Sequence, residues 1–248
     1  MPANKWALIT GASKRIGKAI SEQLHRDGYN IIIHYSQSKQ AADTFCNELN
    51  STRENSAISI QADLTNEAEV MSLIKQVNAI DTLAVLVNNA ACFYATPFGN
   101  VTHQQMMQIL QTNLISPYLL TQGLFNNLAQ NMGSVINLID IHALRPLKDH
   151  GLYSISKAGL ATATLSMAQD MAPLVRVNGI SPGAILWPNE ATAASTQQII
   201  DQIPLQRCGT AEDIAQLVSF LTTASYITGQ IIAVDGGRSA TGYQGASS

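Results

Sequence analysis

Thr10-Gly11-Ala12-Ser13-Lys14-Arg15-Ile16-Gly17 stands between a short apolar run at 6–10 and a segment of helical period at 16–26. A glycine turn entered from a strand and left through a helix can point backbone N–H groups and the positive helix end at an anion such as a pyrophosphate. The glycines alone also fit an ordinary tight turn. Their place after the first strand and before the first helix favours the anion-binding reading.

Outward from that turn, short β-branched runs alternate with longer helical segments. Strands are expected at 6–10, 30–35, 57–62, 82–87, 134–139, 176–180 and 231–234. They are nearly continuous in apolar residues, the pattern of strands buried on both faces. Helices are expected at 16–26, 39–49, 67–78, 102–129, 153–171 and 211–221. Thr210-x-x-Asp213 and Asn66-x-x-Glu69 offer helix starts, the second closer to a capping box. Strand–helix alternation implies a parallel sheet covered on both faces. No Gly/Ser/Pro linker or repeat divides the chain. The expectation is one doubly wound α/β domain over 1–248, a Rossmann domain with a seven-stranded parallel sheet.

Of the 248 residues, 46% are hydrophobic and 12% charged, against about 25% charged in an ordinary soluble domain. Amides supply part of the difference, with 19 Gln and 17 Asn. So much apolar surface excludes disorder, and no uninterrupted apolar run reaches the length of a membrane span. The net charge of −3 argues against a nucleic-acid partner. Three scattered cysteines (Cys46, Cys92, Cys208) and the lack of a signal-like start suggest reduced thiols in a cytoplasm. The histidines show no metal-ligand spacing. The charge deficit is concentrated: the 58 residues between Asp81 and Asp140 contain no Asp, Glu, Lys or Arg. That stretch is expected to be buried in the domain, against another subunit or around a ligand.

The turn resembles the Thr-Gly-x-x-x-Gly-x-Gly opening of the short-chain dehydrogenase/reductase family, and the resemblance runs along nearly the full chain. Arg15 replaces the middle glycine, as in the pteridine reductases and bacterial dihydromonapterin reductases. An arginine there can pair with a cofactor phosphate and reach into the active site. Strand two ends Ile33-His34-Tyr35-Ser36, followed by Gln37, Ser38 and Lys39. No acid precedes Asp43, so the carboxylate that NAD enzymes usually offer to the ribose is missing. NADPH is the expected cofactor, its 2′-phosphate held by Ser36, Lys39 and Arg15; Lys39 could instead simply begin a solvated helix. The resemblance also implies cofactor contacts from Gly11, Ser13, Ile16 and Gly17 in the turn. Further contacts are implied from Asp63 and Leu64 after strand three, Asn89 and Ala90 in Asn88-Asn89-Ala90-Ala91, and Pro182 and Gly183 after strand six. Asp63 serves equally well as a helix-capping acid.

Tyr153-Ser154-Ile155-Ser156-Lys157 puts Tyr and Lys one helical turn apart, on one face. A phenol has an unperturbed pKa of about 10, and a neighbouring ammonium is expected to lower it for proton transfer. In the family this lysine also holds the nicotinamide ribose, and Asn113 matches a member that supports a proton-relay water. Asp140 lies thirteen residues before Tyr153, where most family members carry Ser to polarise a carbonyl. A carboxylate suits a nitrogen-containing ring better than a ketone. Ala91-Cys92-Phe93-Tyr94-Ala95-Thr96-Pro97 resembles the Ser-x-Phe-x-x-Thr-Pro stretch of pteridine reductases, Ala91 replacing the serine. Phe93 is expected to stack on a flat pterin or, more plainly, to fill core. Trp187 is expected to face the pocket from a lid around 184–204.

The expected function is NADPH-dependent reduction of a pterin or dihydropterin. Catalytic residues would be Asp140, Tyr153, Lys157 and Asn113, and substrate contacts Arg15, Phe93, Asp140, Tyr153 and Trp187. The rivals are a carbonyl reductase, such as a 3-oxoacyl carrier-protein reductase, and a regulator that binds NADP without turnover. The resemblance implies a homotetramer through the helices at 102–129 and 153–171, the uncharged stretch serving as subunit interface and active-site wall.

Overall fold

The computed structural model of the chain describes residues 4–185 and 193–240. Seven strands, β1 Trp6–Ile9, β2 Asn30–Tyr35, β3 Ala57–Gln61, β4 Leu83–Asn88, β5 Ser134–Leu138, β6 Arg176–Pro182 and β7 Ile231–Val234, form one parallel sheet. Their order is β3-β2-β1-β4-β5-β6-β7. The chain winds outward from β1 to β3, then returns to β4 on the other side of β1. The carboxyl ends of β1 and β4 therefore open a crevice, the usual ligand position in such sheets.

Side-chain alternation divides the core between the two faces. Ile31 and Ile33 of β2 join the cluster containing Ile20 and Leu24 of α1 (Arg15–Arg26), Phe45 of α2 (Lys39–Thr52) and Val218 of α9 (Ala211–Thr223). Ile32 points the other way, toward Leu73 of α3 (Glu67–Asn78), Leu120 of α5 (Ser116–Gly123) and Met167 of α7 (Gly151–Asp170). The edge strands are less enclosed, β7 most of all, where Ile231 remains 37% exposed. An edge strand has a neighbour on one side only, so β7 lacks the burial its apolar sequence predicts.

The helix expected at 102–129 is broken into α4 (His103–Leu110), a π-helical turn at Gln111–Ile115, then α5 and α6 (Phe125–Gln130). Pro117 has no N–H to donate and disfavours regular helix just before itself, where the π turn sits. Capping also departs from expectation. Thr210 and Asp213 close the reciprocal box on α9. Asn66 accepts from Ala68 N, while Glu69 reaches back to Asp63 N at 2.7 Å. Within the segment expected as a lid, α8 spans Ala193–Ile200. Trp187 and the rest of 186–192 lie outside the described residues.

Candidate active site

The glycine turn is built by contacts that leave little room for other residues. Gly11 has φ +64°, a left-handed conformation that glycine adopts without steric cost. A Cβ on Gly17 would lie 2.3 Å from the Gly11 carbonyl oxygen and 2.7 Å from Asn89 Nδ2, so helix α1 approaches the turn only as glycine. Asn89 ties the end of β4 to the turn, donating from Nδ2 to the carbonyls of Thr10 (2.8 Å) and Gly11 (3.2 Å). Thr10 Oγ1 accepts from the amides of Asn89 and Ala90. Arg15, in the glycine's usual place, keeps a left-handed backbone with φ +54°.

Above the turn lies a cavity of about 450 Å³. Residues 14–17, 89–91, 138–140 and 182–185 line it, together with Gly11, Tyr153 and Lys157. Helix α1 enters with no acid in its first turn and no side-chain cap from Lys14, so its leading N–H groups lack intrahelical partners at the cavity wall. Lys14 and Arg15 are exposed there, and neither side chain has a hydrogen-bond or ion-pair partner among the described residues. Free amides, a helix N-terminus and two cations fit a pyrophosphate-bearing dinucleotide.

At the far wall Tyr153 Oη donates to Asp140 Oδ2 at 2.7 Å. Asp140 lies two residues past β5 in an extended conformation, and its Oδ1 accepts from His142 N at 2.8 Å. Burial, then the Asp140 charge and hydrogen bond, push the Tyr153 phenol well above its ordinary value. The expected lowering by Lys157 is therefore corrected: Tyr153 is a neutral donor aimed at a carboxylate. Lys157, fully enclosed, donates from Nζ to Leu138 O at 2.6 Å. Burial lowers its pKa to about 8, the Asp140 charge opposing the shift.

Asn113 sits in the π turn with no exposed surface. Its Oδ1 accepts from Cys92 N (2.7 Å), and its Nδ2 donates to Cys92 O (2.9 Å) and Ser156 Oγ (3.0 Å). Ser156 Oγ in turn donates to Tyr153 O at 2.7 Å. The amide thus braces the loop carrying Phe93 against the helix carrying Tyr153, and its hydrogen bonds go to neither Tyr153 Oη nor Lys157. Phe93 stands beside the cavity, 51% exposed rather than in the core. Its ring stacks on His150 and meets Tyr153 edge to face, both with centroids 4.7 Å apart.

The adenine side is less assembled. Lys39 Nζ pairs with Asp43 Oδ2 at 2.7 Å on the surface, so the lysine expected to meet a 2′-phosphate is engaged by the acid one turn on. Ser36 is exposed and, like Ser13, lies off the cavity wall. Asp63 Oδ1 accepts from the amide and hydroxyl of Thr65, shaping the turn before α3, and Leu64 is buried in the core. Three neighbours of the site escaped the sequence reading: Lys14, His150 and His34. Lys14 was signalled by its place beside Arg15. His34 was signalled only as a polar residue in an otherwise buried strand. No group of three or more His, Cys, Asp and Glu side chains among the described residues could hold a metal ion, and no described helix is long and apolar enough to cross a membrane.

A family model described as enoyl-(acyl carrier protein) reductase matches residues 11–239. The chain is 33% identical to pteridine reductase 1 of Leishmania tarentolae, covering 97% of this chain and 98% of that protein. It is 35% identical to a 3-oxoacyl-[acyl-carrier-protein] reductase of Staphylococcus epidermidis and to an uncharacterized oxidoreductase of Bacillus subtilis, each covering 94% of this chain and 98% of the relative. With the parallel sheet and its glycine turn, these matches place the chain in the short-chain dehydrogenase/reductase family of oxidoreductases.

Proposed function

We propose that this protein uses NADPH to reduce a pterin or dihydropterin. The observation carrying the reading is the Asp140–Tyr153 hydrogen bond in the cavity wall. The phenol's acceptor is a carboxylate, so a negative charge stands beside the group that serves as proton donor. That carboxylate would repel a developing alkoxide, whereas it attracts the amino and ring N–H groups of a pterin.

Bound NADPH supplies the hydride. Lys14, Arg15 and the first turn of α1 hold its pyrophosphate, and Asn89, Ala90, Pro182 and Gly183 border the rest of its path. No carboxylate follows β2 before Asp43, which favours a 2′-phosphate; Arg15 and Ser36 would meet it, and Lys39 only by leaving Asp43. Asp140 orients the substrate's N–H groups. Tyr153 delivers the proton to the ring nitrogen beside the reduced carbon, so one hydride and one proton saturate one C=N bond. Lys157 holds the nicotinamide ribose, Asn113 fixes the two walls relative to each other, and Phe93 covers the ring plane.

The 35% identity to 3-oxoacyl-[acyl-carrier-protein] reductases keeps a carbonyl substrate as the second reading. NADPH oxidation separates the two, assayed with dihydrobiopterin, dihydromonapterin, dihydrofolate and a 3-oxoacyl thioester. The pterin reading expects turnover with at least one pterin, and turnover of the thioester alone overturns it.

A further inference from the structure

His34 is an imidazole near the carboxyl end of β2, among apolar strand residues and 1% exposed. Its Nδ1 lies 3.1 Å from Gly11 N, which donates to it, so Nδ1 carries no proton. Its Nε2 lies 3.0 Å from the Ala62 carbonyl, which only accepts, so Nε2 carries the proton. The two partners fix one neutral tautomer. The His34 main chain joins in, its carbonyl accepting from Ala12 N at 3.0 Å. One residue of β2 thus holds two consecutive amides of the glycine turn and ties them to the residue that follows β3.

The consequence concerns the direction of a peptide plane. Gly11 is free to adopt many conformations, and a turn that binds an anion through its amides loses affinity in proportion to the freedom it gives up on binding. Thr10, Asn89 and Ala90 secure the carbonyl side of the turn, whereas the Gly11 N–H has His34 as its partner. Burial holds the His34 pKa down to about 4, so the acceptor lone pair is present throughout the neutral range.

Given the cofactor reading above, we propose that His34 is a positioning residue that sets the glycine turn for the dinucleotide pyrophosphate by accepting the Gly11 N–H.

Two substitutions separate the halves of the side chain. His34→Asn places an oxygen near the Nδ1 position and keeps the acceptor for Gly11; His34→Gln places an amide N–H near the Nε2 position and keeps only the donor for Ala62. NADPH Kd is measured by cofactor fluorescence, and thermal stability is measured on the same samples without cofactor. The proposal expects both variants to melt earlier, His34→Gln to weaken NADPH about tenfold and His34→Asn to stay within about threefold of the unsubstituted protein. Equal Kd values for the two variants, or a Kd that simply tracks stability, overturn it. Should either variant fail to fold, ¹⁵N NMR of the imidazole in the unsubstituted protein decides. An unprotonated Nδ1 and protonated Nε2 at neutral pH support the assignment; the opposite tautomer or a charged ring overturns it. Neither readout involves a pterin, so a wrong substrate assignment leaves this test intact.

Discussion

Tyr153 Oη and Asp140 Oδ2 share a hydrogen bond of 2.7 Å across thirteen residues of sequence. The bond couples the segment just after β5 to the first turn of α7, and it helps keep the phenol protonated. The phenol stays protonated because burial and the facing carboxylate both oppose ionisation. The same carboxylate reaches Lys157 through its charge and opposes the loss of that proton. Asp140 therefore sets the electrostatics of Tyr153 and Lys157, both nearly enclosed.

Lys157 gives the first prediction. With a pKa of about 8, it is charged below that pH and neutral above it. The kcat/KM for NADPH, which reports the free enzyme, is expected to fall as pH rises through about 8. Removing the Asp140 charge removes the influence that raises Lys157, so Asp140→Asn is expected to move this limb to lower pH. A pH series on both proteins checks it, and an unmoved limb or a shift to higher pH contradicts it.

Arg15 occupies left-handed backbone at φ +54°, which costs a non-glycine residue about 1 kcal/mol or more. Arg15→Gly is expected to raise Tm by about 2–4 °C. Loss of the cation is expected to weaken NADPH about tenfold and to flatten the dependence of its Kd on salt. Calorimetry and cofactor titration at two ionic strengths measure the two effects, which should have opposite signs.

His34 predicts an acid limb of stability. Its folded pKa of about 4 lies below the ordinary 6.5, so the unfolded chain takes up the proton first. Its contribution is complete above about pH 6.5 and is lost as pH falls toward 4, on the order of 3 kcal/mol in all. The charge of Asp63 works against this by favouring the protonated ring. Denaturant midpoints between pH 4 and pH 7 are expected to vary less steeply in His34→Asn than in the unsubstituted protein.

The uncharged stretch between Asp81 and Asp140 now divides into parts. β4 and β5 are buried along their whole length, while α4 and α5 expose Met106, Met107 and Tyr118. Leu165 of α7 is exposed as well. Light scattering at micromolar concentration is expected to give a tetramer, four times the 26.6 kDa chain, and Leu165→Glu a smaller species. A monomer from the unsubstituted protein contradicts this assignment of the faces.

Sheet and helices were legible wherever burial imposes a period. Ile31 and Ile33 against Ile32 display the two faces of β2 directly. The glycine turn was legible because Gly11 and Gly17 have backbone reasons to be glycine, one a left-handed φ and the other a close approach. The Tyr153–Lys157 spacing and the Asp140 offset placed three groups at one cavity, but their ionisation depends on desolvation, which no spacing records. Pro117 marks a break within 102–129, but nothing in the spacing says that the break is a π turn holding Asn113. The Lys39–Asp43 pair was open to view as an i,i+4 contact, yet a phosphate-binding role for Lys39 overlooked that competitor.

If Asp140 adapts a family site to a nitrogen ring, Asp140→Ser should undo that adaptation. The measurement is kcat/KM for the best dihydropterin and for a 3-oxoacyl thioester, in both proteins, with NADPH Kd as the control for folding. At a pH below the Lys157 limb of both proteins, the expected outcome is a loss of about a hundredfold or more with the dihydropterin, no loss with the thioester and an unchanged cofactor Kd. Dihydropterin turnover that survives the substitution undiminished would contradict it.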